Sequence, residues 1–227
     1  MLNNDDFNLL NTLFPAWQQL TTKQQQIISQ NASLIQVKKN NFVHTTKEGC
    51  SGILIIKKGQ LRVYTLSEQG KDITFYRLND GDISILSASC VIKDITFDIY
   101  IEALTDCELI QILPCAFAKV MNENIYLEAI TYKLATKRLC TVTWAMQQMM
   151  FTSFDKRLAE FLLNESNTTN SNEINMTHEQ IAKLMGSARE VVTRMLKYFS
   201  TEGYVEITRG KVKIINKQAL ELSLIHI

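Results

Sequence analysis

The sequence predicts an α+β fold: an N-terminal antiparallel β-roll or jelly roll, a long dimerisation helix and a C-terminal winged helix-turn-helix. Three observations support this prediction. Short runs rich in Ile, Val, Tyr and Thr, separated by turn residues, fill residues 33–113. A helical pattern then runs from Pro114 to Phe151 without a glycine or a further proline. Towards the end of the chain, two short amphipathic segments meet at Gly186 and precede two alternating runs.

The composition is that of a globular protein with a sizeable core. The chain has 227 residues, of which 46% are hydrophobic, so one large domain or two small ones can form. No apolar run approaches the roughly 20 residues that span a bilayer, and the start, MLNNDDFNLL, carries acids where a signal peptide carries basic residues. We therefore expect a cytoplasmic protein without a membrane segment. The five cysteines never form a C-x-x-C pair, which argues against a disulfide framework or a zinc ribbon.

The first predicted domain, residues 1–122, is the β-roll. Near its start, LTTKQQQIISQNA predicts a short helix with Thr21 or Thr22 as N-cap. The strand-like runs that follow are SLIQVKK, GILIIKKG, QLRVYTLSEQG, KDITFYRL, ISILSASCVI, ITFDIYIEAL and CELIQIL. The segment SEQGK predicts a hairpin and NDGD a turn. Closely spaced strands without intervening helices predict an antiparallel barrel or jelly roll.

The second predicted segment is a long helix over residues 123–151. Apolar residues recur at spacings of three and four on either side of a polar middle. At 1.5 Å per residue the helix is about 42 Å long, which is more than one small domain needs to cover its core. It either packs only on its own barrel or forms a seam with a second copy, although no strict heptad spans the polar middle. We favour the seam and predict a dimer interface at Leu127, Ile130, Leu134 and Trp144.

The third predicted domain, residues 152–227, is the winged helix-turn-helix. It opens with an amphipathic helix in FDKRLAEFLLNES and a polar surface loop in NTTNSNE. After the two short amphipathic helices, the chain passes Gly203 and enters YVEIT and KVKII. These two alternating runs are joined by the turn RG and predict a hairpin that forms the wing.

Two capping-box patterns mark the starts of the two short helices. Thr177 with Gln180, and Ser187 with Glu190, both fit S/T-x-x-E/Q. The second helix, over about residues 187–202, is the predicted recognition helix.

Basic charge is concentrated in this last domain. The first 152 residues carry 14 basic and 14 acidic residues, whereas residues 183–217 carry 8 basic against 3 acidic. The polar residues of the recognition helix form one strip near its amino end: Arg189, Glu190, Thr193, Arg194 and Lys197. In a helix-turn-helix docked on DNA, this part of the helix reaches base edges in the major groove.

The chemistry of these residue types matches the groups that DNA presents. A guanidinium can donate to guanine O6 and N7, and a carboxylate can accept from cytosine N4. Cations further along the helix and on the wing are placed for phosphate: Lys197, Arg209, Lys211 and Lys213. The alternative is that Glu190 and Arg194 form only a surface ion pair.

The run THEQIAKLMGSAREVVTRMLKYFSTEGYVEITRGKVKII resembles the winged helix-turn-helix of Crp/Fnr-type bacterial transcription regulators. GILIIKKGQLRVYTLSEQGKDITFYRLNDGD resembles the front half of their cyclic-nucleotide-binding-type β-roll. The resemblance extends from about Leu20 to Leu220 and keeps the domain order of the family. It implies a homodimer that binds a palindromic operator in double-stranded DNA and acts through its position relative to RNA polymerase.

The resemblance also implies roles for individual residues. Arg189, Glu190 and Arg194 match the positions that contact bases in the catabolite-activator branch. The expected contacts to the DNA backbone are Thr177, Ser187, Thr193, Lys197, Arg209 and Lys211. Glu179 occupies another backbone-contact position but departs from the pattern, because an acid repels phosphate.

The sensor side departs further from the cyclic-nucleotide-binding members. Their phosphate cassette has a Gly-Glu pair after the GD turn and then Arg-Ser or Arg-Thr, whereas GDISILSASCVIKDITFDIYIEAL has neither. No arginine lies between Arg77 and Arg138, so a cyclic phosphate would lack its charge-assisted partner. The sequence therefore predicts an unknown effector other than cyclic AMP.

Other signals of the family give further expectations for the β-roll. No cysteine precedes Cys50, which argues against the N-terminal iron–sulfur version. Ser87, Ser89 and Cys90 occupy the place of the cassette and are candidate effector residues, with thiol redox possible at Cys90. A haem could take His44 or Cys90 as axial ligand. The alternatives are that Cys90 is a packed thiol in a strand and that His44 is a turn or surface residue. No cofactor and no metal site is identified.

Two rival functions are weaker. A metal-dependent cupin enzyme needs two or three barrel histidines, but of His44, His178 and His226 only the first lies in the β region. No Walker loop, zincin motif or nucleophile elbow is present, so we expect no enzyme. In the other alternative, the β-roll is a sensor and the winged helix mediates protein contacts instead of binding DNA.

Overall fold

The computed structural model describes residues 4–45, 50–67, 70, 72–85 and 99–223, without the side chains of residues 4–7 and 223. The chain divides into two compact units, and the division falls inside the long helix, between Val142 and Thr143. Residues 72–74 belong to the second unit.

The first unit contains two four-stranded sheets and the helices that flank them. Its helices are α1 (Asn4–Leu13), α2 (Thr22–Gln30), α3 (Pro114–Glu123) and the first part of α4 (Ile125–Phe151), with a 3-10 turn at Trp17–Gln19. Its strands are β1 (Ala32–Val37), β2 (Phe42–His44), β3 (Ile53–Lys58), β4 (Leu61–Leu66), β5 (Asp72–Leu78), β6 (Ile83–Ser84), β7 (Tyr100–Ala103) and β8 (Cys107–Ile112). The sheet orders are β1-β8-β3-β6 and β2-β7-β4-β5, and each strand pair with a described register is antiparallel. The predicted N-terminal antiparallel β domain is confirmed.

The core of this unit follows from the apolar strands. Ile53–Ile56 are all buried, so β3 is covered on both faces. A glycine is required immediately before this strand, because Gly52 has φ +77° and an added Cβ would overlap the carbonyl oxygen of Ile112. At the start of α2, Thr21 is the N-cap, one of the two predicted candidates, and it forms a capping box with Gln24.

The helical pattern after Pro114 is interrupted once. Asn124 is extended (φ −134°, ψ 105°) and separates α3 from α4. Its side-chain oxygen accepts from the backbone N–H groups of Tyr126 and Leu127, at 3.1 and 3.0 Å, and so caps the long helix. The long helix therefore begins at Ile125 and contains 27 residues.

The second unit contains the remaining helices and a three-stranded sheet. The elements after α4 are α5 (Phe154–Thr169), β9 (Glu173–Ile174), α6 (His178–Met185), α7 (Arg189–Thr201), β10 (Val205–Thr208), β11 (Lys211–Ile214) and α8 (Lys217–Ser223). The sheet order is β10-β11-β9. The core joins one apolar side of each helix to the inner residues of the sheet, including Leu162, Ile181, Leu196, Phe199 and Val212. The predicted helix pair and hairpin wing are both present.

A disulfide bond is present, although the cysteine spacing gave no sign of one and argued against a disulfide framework. Cys50 is disulfide-bonded, whereas Cys107, Cys115 and Cys140 carry free thiols. Spacing alone detects neighbours along the chain, not cysteines that the fold brings together. None of the helices in the described part of the chain combines the length and the apolar character needed to cross a lipid bilayer.

Candidate nucleic-acid interface

The first helix of the helix-turn-helix begins as predicted. Thr177 has extended backbone angles, and its hydroxyl accepts from the N–H of Gln180 at 3.2 Å. In return the Gln180 side-chain oxygen accepts from the Thr177 N–H at 2.8 Å. This reciprocal pair fixes the amino end of α6, and Thr177 lies on the surface there.

The second predicted capping box does not form. Gly186 ends α6 in the left-handed conformation (φ +62°), and Ser187 then donates its N–H to the carbonyl of Ala182 at 2.9 Å. Ser187 is thereby part of the end of α6, and the N-cap of α7 is Ala188, without a side-chain cap. The pairing of Ser187 with Glu190 as a helix start is therefore wrong, and α7 begins two residues later than predicted.

The recognition helix α7 has one buried and one exposed side. Val192, Leu196 and Phe199 are buried in the core of the second unit. The predicted polar strip is exposed along its whole length: Arg189, Glu190, Thr193, Arg194 and Lys197. Within residues 99–223, no ion pair joins Glu190 to Arg194, so the alternative of a surface ion pair is not observed.

The wing is a tight hairpin with cations at its end. Thr208 pairs with Lys211, and the turn between them is Arg209–Gly210, in which Gly210 has φ +77°. Arg209 is exposed at this turn. Lys211 is also exposed, but its ammonium lies 3.4 Å from the Glu173 carboxylate on β9.

A cleft of about 540 Å³ lies between the starts of both helices and the wing turn. Its lining residues are Thr177, His178, Glu179, Arg189, Ile207, Thr208, Arg209 and Gly210. His178 Nδ1 lies 3.0 Å from the hydroxyl of Thr193 and so links α6 to α7. Burial, and then the nearby Arg189 guanidinium, lower the pKa of the His178 imidazole. No signal in the sequence indicated a role for this histidine, because its hydrogen-bond partner is 15 residues away on another helix.

The predicted dimer residues lie on different sides of α4. Leu127 is fully buried in the core of the first unit, and Ile130 and Leu134 pack against the same core. This corrects the expectation for Leu127, which has no surface left for a second copy. Trp144 is exposed. A heptad series that the sequence analysis did not find is exposed as well: Ile125, Tyr132, Leu139 and Met146, at 69%, 46%, 66% and 55%.

The candidate effector residues Ser87, Ser89 and Cys90 lie outside the described residues. His44 is buried on β2, with Nδ1 2.8 Å from the Ser51 hydroxyl. Among the described residues, no three His, Cys, Asp or Glu side chains come together as a possible metal site.

Two buried arginines of the first unit were not singled out by the sequence. Arg62 on β4 is fully buried, 3.7 Å from the Glu102 carboxylate and 4.2 Å above the Tyr64 ring. Arg138 on α4 is also buried, and it donates to Asp82 at 3.0 Å and to the Ile83 carbonyl at 3.3 Å. Both positions are paired within their own unit, and neither side chain lies on the exposed basic surface.

An antiparallel β domain, a long helix and a winged helix-turn-helix with an exposed cationic strip are together typical of DNA-binding transcription regulators. Comparison with known families agrees. Residues 34–124 match the cyclic nucleotide-binding domain, and residues 156–222 match the Crp-like helix-turn-helix domain. The chain belongs to the Crp/Fnr family of transcriptional regulators.

Individual relatives support this assignment. A crystal structure from Eubacterium rectale ATCC 33656, assigned to the transcriptional regulators of the Crp/Fnr family, is 42% identical, with a TM-score of 0.90 over 94% of this chain and 99% of that chain. The cAMP-activated global transcriptional regulator CRP of Salmonella typhimurium is 23% identical over 183 residues, 78% of this chain and 86% of CRP. The c-di-GMP responsive regulator CLP of Xanthomonas campestris shares the fold, at 16% identity and a TM-score of 0.69 over 86% of this chain and 99% of CLP.

Proposed function

We propose that this Crp/Fnr-type regulator is a homodimer that binds a palindromic operator through α7. The exposed strip at the amino end of α7 is the observation that supports it most strongly. Arg189 and Arg194 would donate to guanine, and Glu190 would accept from cytosine. Since none of these three groups forms an ion pair within the described residues, all are available to a ligand.

Contacts to the DNA backbone would surround the base contacts. Thr177 and Arg209 line the same cleft as Arg189, so they would contact phosphates next to the bases that Arg189 contacts. Ser187, Thr193, Lys197 and Lys211 are the other proposed backbone contacts. Lys211 would have to exchange its exposed partner Glu173 for phosphate, which costs little because exposed pairs are weak.

Dimerisation would follow the heptad series of α4. Four apolar residues at seven-residue spacing, each about half exposed or more, leave an apolar stripe along one side of the helix. If the stripes of two copies packed together, their apolar side chains would be removed from water, as in a two-stranded coiled coil. Trp144 lies five residues after Leu139 and falls outside this series. A two-fold axis between the copies would match the two half-sites of a palindrome.

The effector would be something other than cyclic AMP. CRP is described as cAMP-activated and CLP as c-di-GMP responsive, so similarity to these two proteins does not identify the effector of this chain. The cassette sequence around residues 82–104 lacks the paired glutamate and arginine of the cAMP-binding members. Calorimetric titration of cyclic AMP should give no saturable binding at micromolar concentrations, and a saturable isotherm would refute this proposal.

Selection of bound sequences from random DNA duplexes tests the proposed function. We expect an inverted repeat with G and C in each half-site, centred about 34 Å apart. Enrichment of no sequence would instead favour a winged helix that contacts protein. Repeating the selection with and without reductant tests whether the disulfide at Cys50 affects DNA binding.

A further inference from the structure

His178 connects the two helices of the helix-turn-helix at the cleft that faces the proposed DNA surface. Its Nδ1 is 3.0 Å from the Thr193 hydroxyl, and Thr193 is one of the exposed residues of the recognition strip. The imidazole also lines the cleft together with Arg189 and Arg209. The proton at Nδ1 therefore decides how the hydroxyl of Thr193, a residue of the proposed DNA surface, is hydrogen-bonded.

The direction of the hydrogen bond depends on the proton at Nδ1. With Nδ1 unprotonated, the Thr193 hydroxyl must use its only hydrogen to donate to the ring. With the imidazolium, Nδ1–H donates instead and the hydroxyl accepts. The hydroxyl hydrogen is then free to point outwards, where a phosphate oxygen could accept it. The contact between the helices survives in both states, so only the hydrogen-bonding capacity of Thr193 changes.

The charges around the ring decide which state is populated. The charged groups that line the cleft with His178 are Glu179 of α6, Arg189 of α7 and Arg209 of the wing turn. In the free protein, burial and Arg189 both disfavour the imidazolium and lower the pKa of His178. DNA phosphates entering the cleft would offset the two guanidinium charges and favour the imidazolium.

We propose that His178 is a positioning residue whose neutral ring carries its proton on Nε2 in the free protein, and that it takes up a second proton at Nδ1 when DNA binds and thereby turns the Thr193 hydroxyl towards the duplex. This inference rests on the proposed function, because DNA is the anion that enters the cleft. The pKa of His178 then lies below its ordinary value in the free protein and higher in the complex. Below both pKa values the ring is charged in both states, and above both it is neutral in both. DNA affinity therefore rises as pH falls through the pKa of the complex and levels off below that of the free protein.

The test is the pH profile of DNA affinity between pH 5 and 8, measured by fluorescence anisotropy on a selected operator at constant salt. For each recognition helix engaged, affinity should change by up to about tenfold per pH unit in the window, the slope of one linked proton. His178→Gln keeps a hydrogen-bonding side chain without a titrating ring, and Thr193→Val keeps the shape without the hydroxyl. His178→Gln should bind the operator with a flattened profile, whereas Thr193→Val keeps the titrating ring and should lose affinity mainly at low pH, where the hydroxyl would donate to phosphate.

Carbon-13 NMR of the His178 ring gives a second readout, since the pKa in the free protein and in the complex can be compared directly. A wild-type profile that His178→Gln reproduces, or a pKa that does not rise on DNA binding, would overturn the inference while leaving DNA binding intact. Failure of the wild-type protein to bind any duplex at any pH would refute the proposed function, and this inference with it.

Discussion

The arginines of this chain occupy two kinds of surroundings. Arg62 and Arg138 are buried and paired with carboxylates, and each lies over a tyrosine ring. Arg189 and Arg194 are exposed on the recognition helix. A guanidinium paired inside the protein has its desolvation offset by its partners, whereas an exposed one keeps its donors for a ligand. Arg62 and Arg138 are therefore engaged within the fold, whereas Arg189 and Arg194 are available for binding.

Removal of Arg138 should destabilise the first unit. Arg138→Met keeps much of the side-chain volume but removes the donors to Asp82 and to the Ile83 carbonyl. Since charge-assisted hydrogen bonds of this kind contribute about 1.5–3 kcal/mol, and Asp82 is partly exposed, we expect a loss of roughly 2 kcal/mol. Urea denaturation followed by circular dichroism measures the change.

The matched control for this prediction is the preceding residue. Lys137 is exposed on α4, so Lys137→Met should change the free energy of unfolding by less than about 0.5 kcal/mol. Equal effects of the two substitutions would show that the Arg138 pair does not stabilise the unit.

Residue-level features were predictable where periodicity alone fixes exposure. The exposed strip of α7 follows from helical spacing, because the apolar residues between its members had to face the core. Burial of Arg62 and Arg138 did not follow from the sequence, since a charged residue is buried only when a distant partner compensates it. The contact between His178 and Thr193 depends in the same way on the packing of two helices.

The long helix α4 has a buried side and an exposed apolar side. Its inner side, including Leu127 and Arg138, belongs to the first unit, whereas its outer side carries the exposed heptad series. Exposed apolar side chains at regular spacing are costly in water unless a partner covers them. The proposed partner is the same helix of a second copy.

Leu139→Glu should convert the proposed dimer into a monomer. Leu139 is 66% exposed in the single chain, so a charge there leaves the fold intact but would be buried without a partner at a dimer seam. Sedimentation equilibrium at micromolar concentration should give the mass of one chain for Leu139→Glu. Lys137→Glu, which places the same side chain outside the heptad series, should remain a dimer. A dimeric Leu139→Glu protein would place the interface elsewhere.

Elements were predictable where their periodicity and turn or capping signals were clear, not simply where they were long, since the ten-residue helix α1 was not predicted. The strands of the β domain and the helices α5, α6 and α7 have clear periodicity, and the capping box of Thr177 formed as expected. The two-residue strand β9 and the seven-residue helix α8 were missed, because short elements owe their form to tertiary contacts. Ser187 was wrongly predicted as an N-cap, because its backbone N–H donates to the Ala182 carbonyl at the end of α6.

At the scale of the whole molecule, composition and function are divided along the chain. The basic surplus lies in residues 183–217, within the second unit, while the first 152 residues are balanced in charge. The order of β domain, long helix and winged helix-turn-helix was predictable, because each has a different periodicity. Membership of the Crp/Fnr family adds a regulatory role, and the proposed dimer would present two copies of α7 to one operator.

The most direct test of this account is the affinity of the protein for its selected palindrome and for a scrambled duplex, measured by anisotropy at about 50 and 200 mM salt. We predict that the wild-type protein prefers the palindrome at both salt concentrations and binds both duplexes more weakly at the higher one. Arg189→Ala should lose about 1–3 kcal/mol of this preference per half-site, whereas Lys23→Ala, an exposed charge removed from the first unit, should keep it. Equal affinity of the wild-type protein for the two duplexes, or an unchanged preference in Arg189→Ala, would contradict the account.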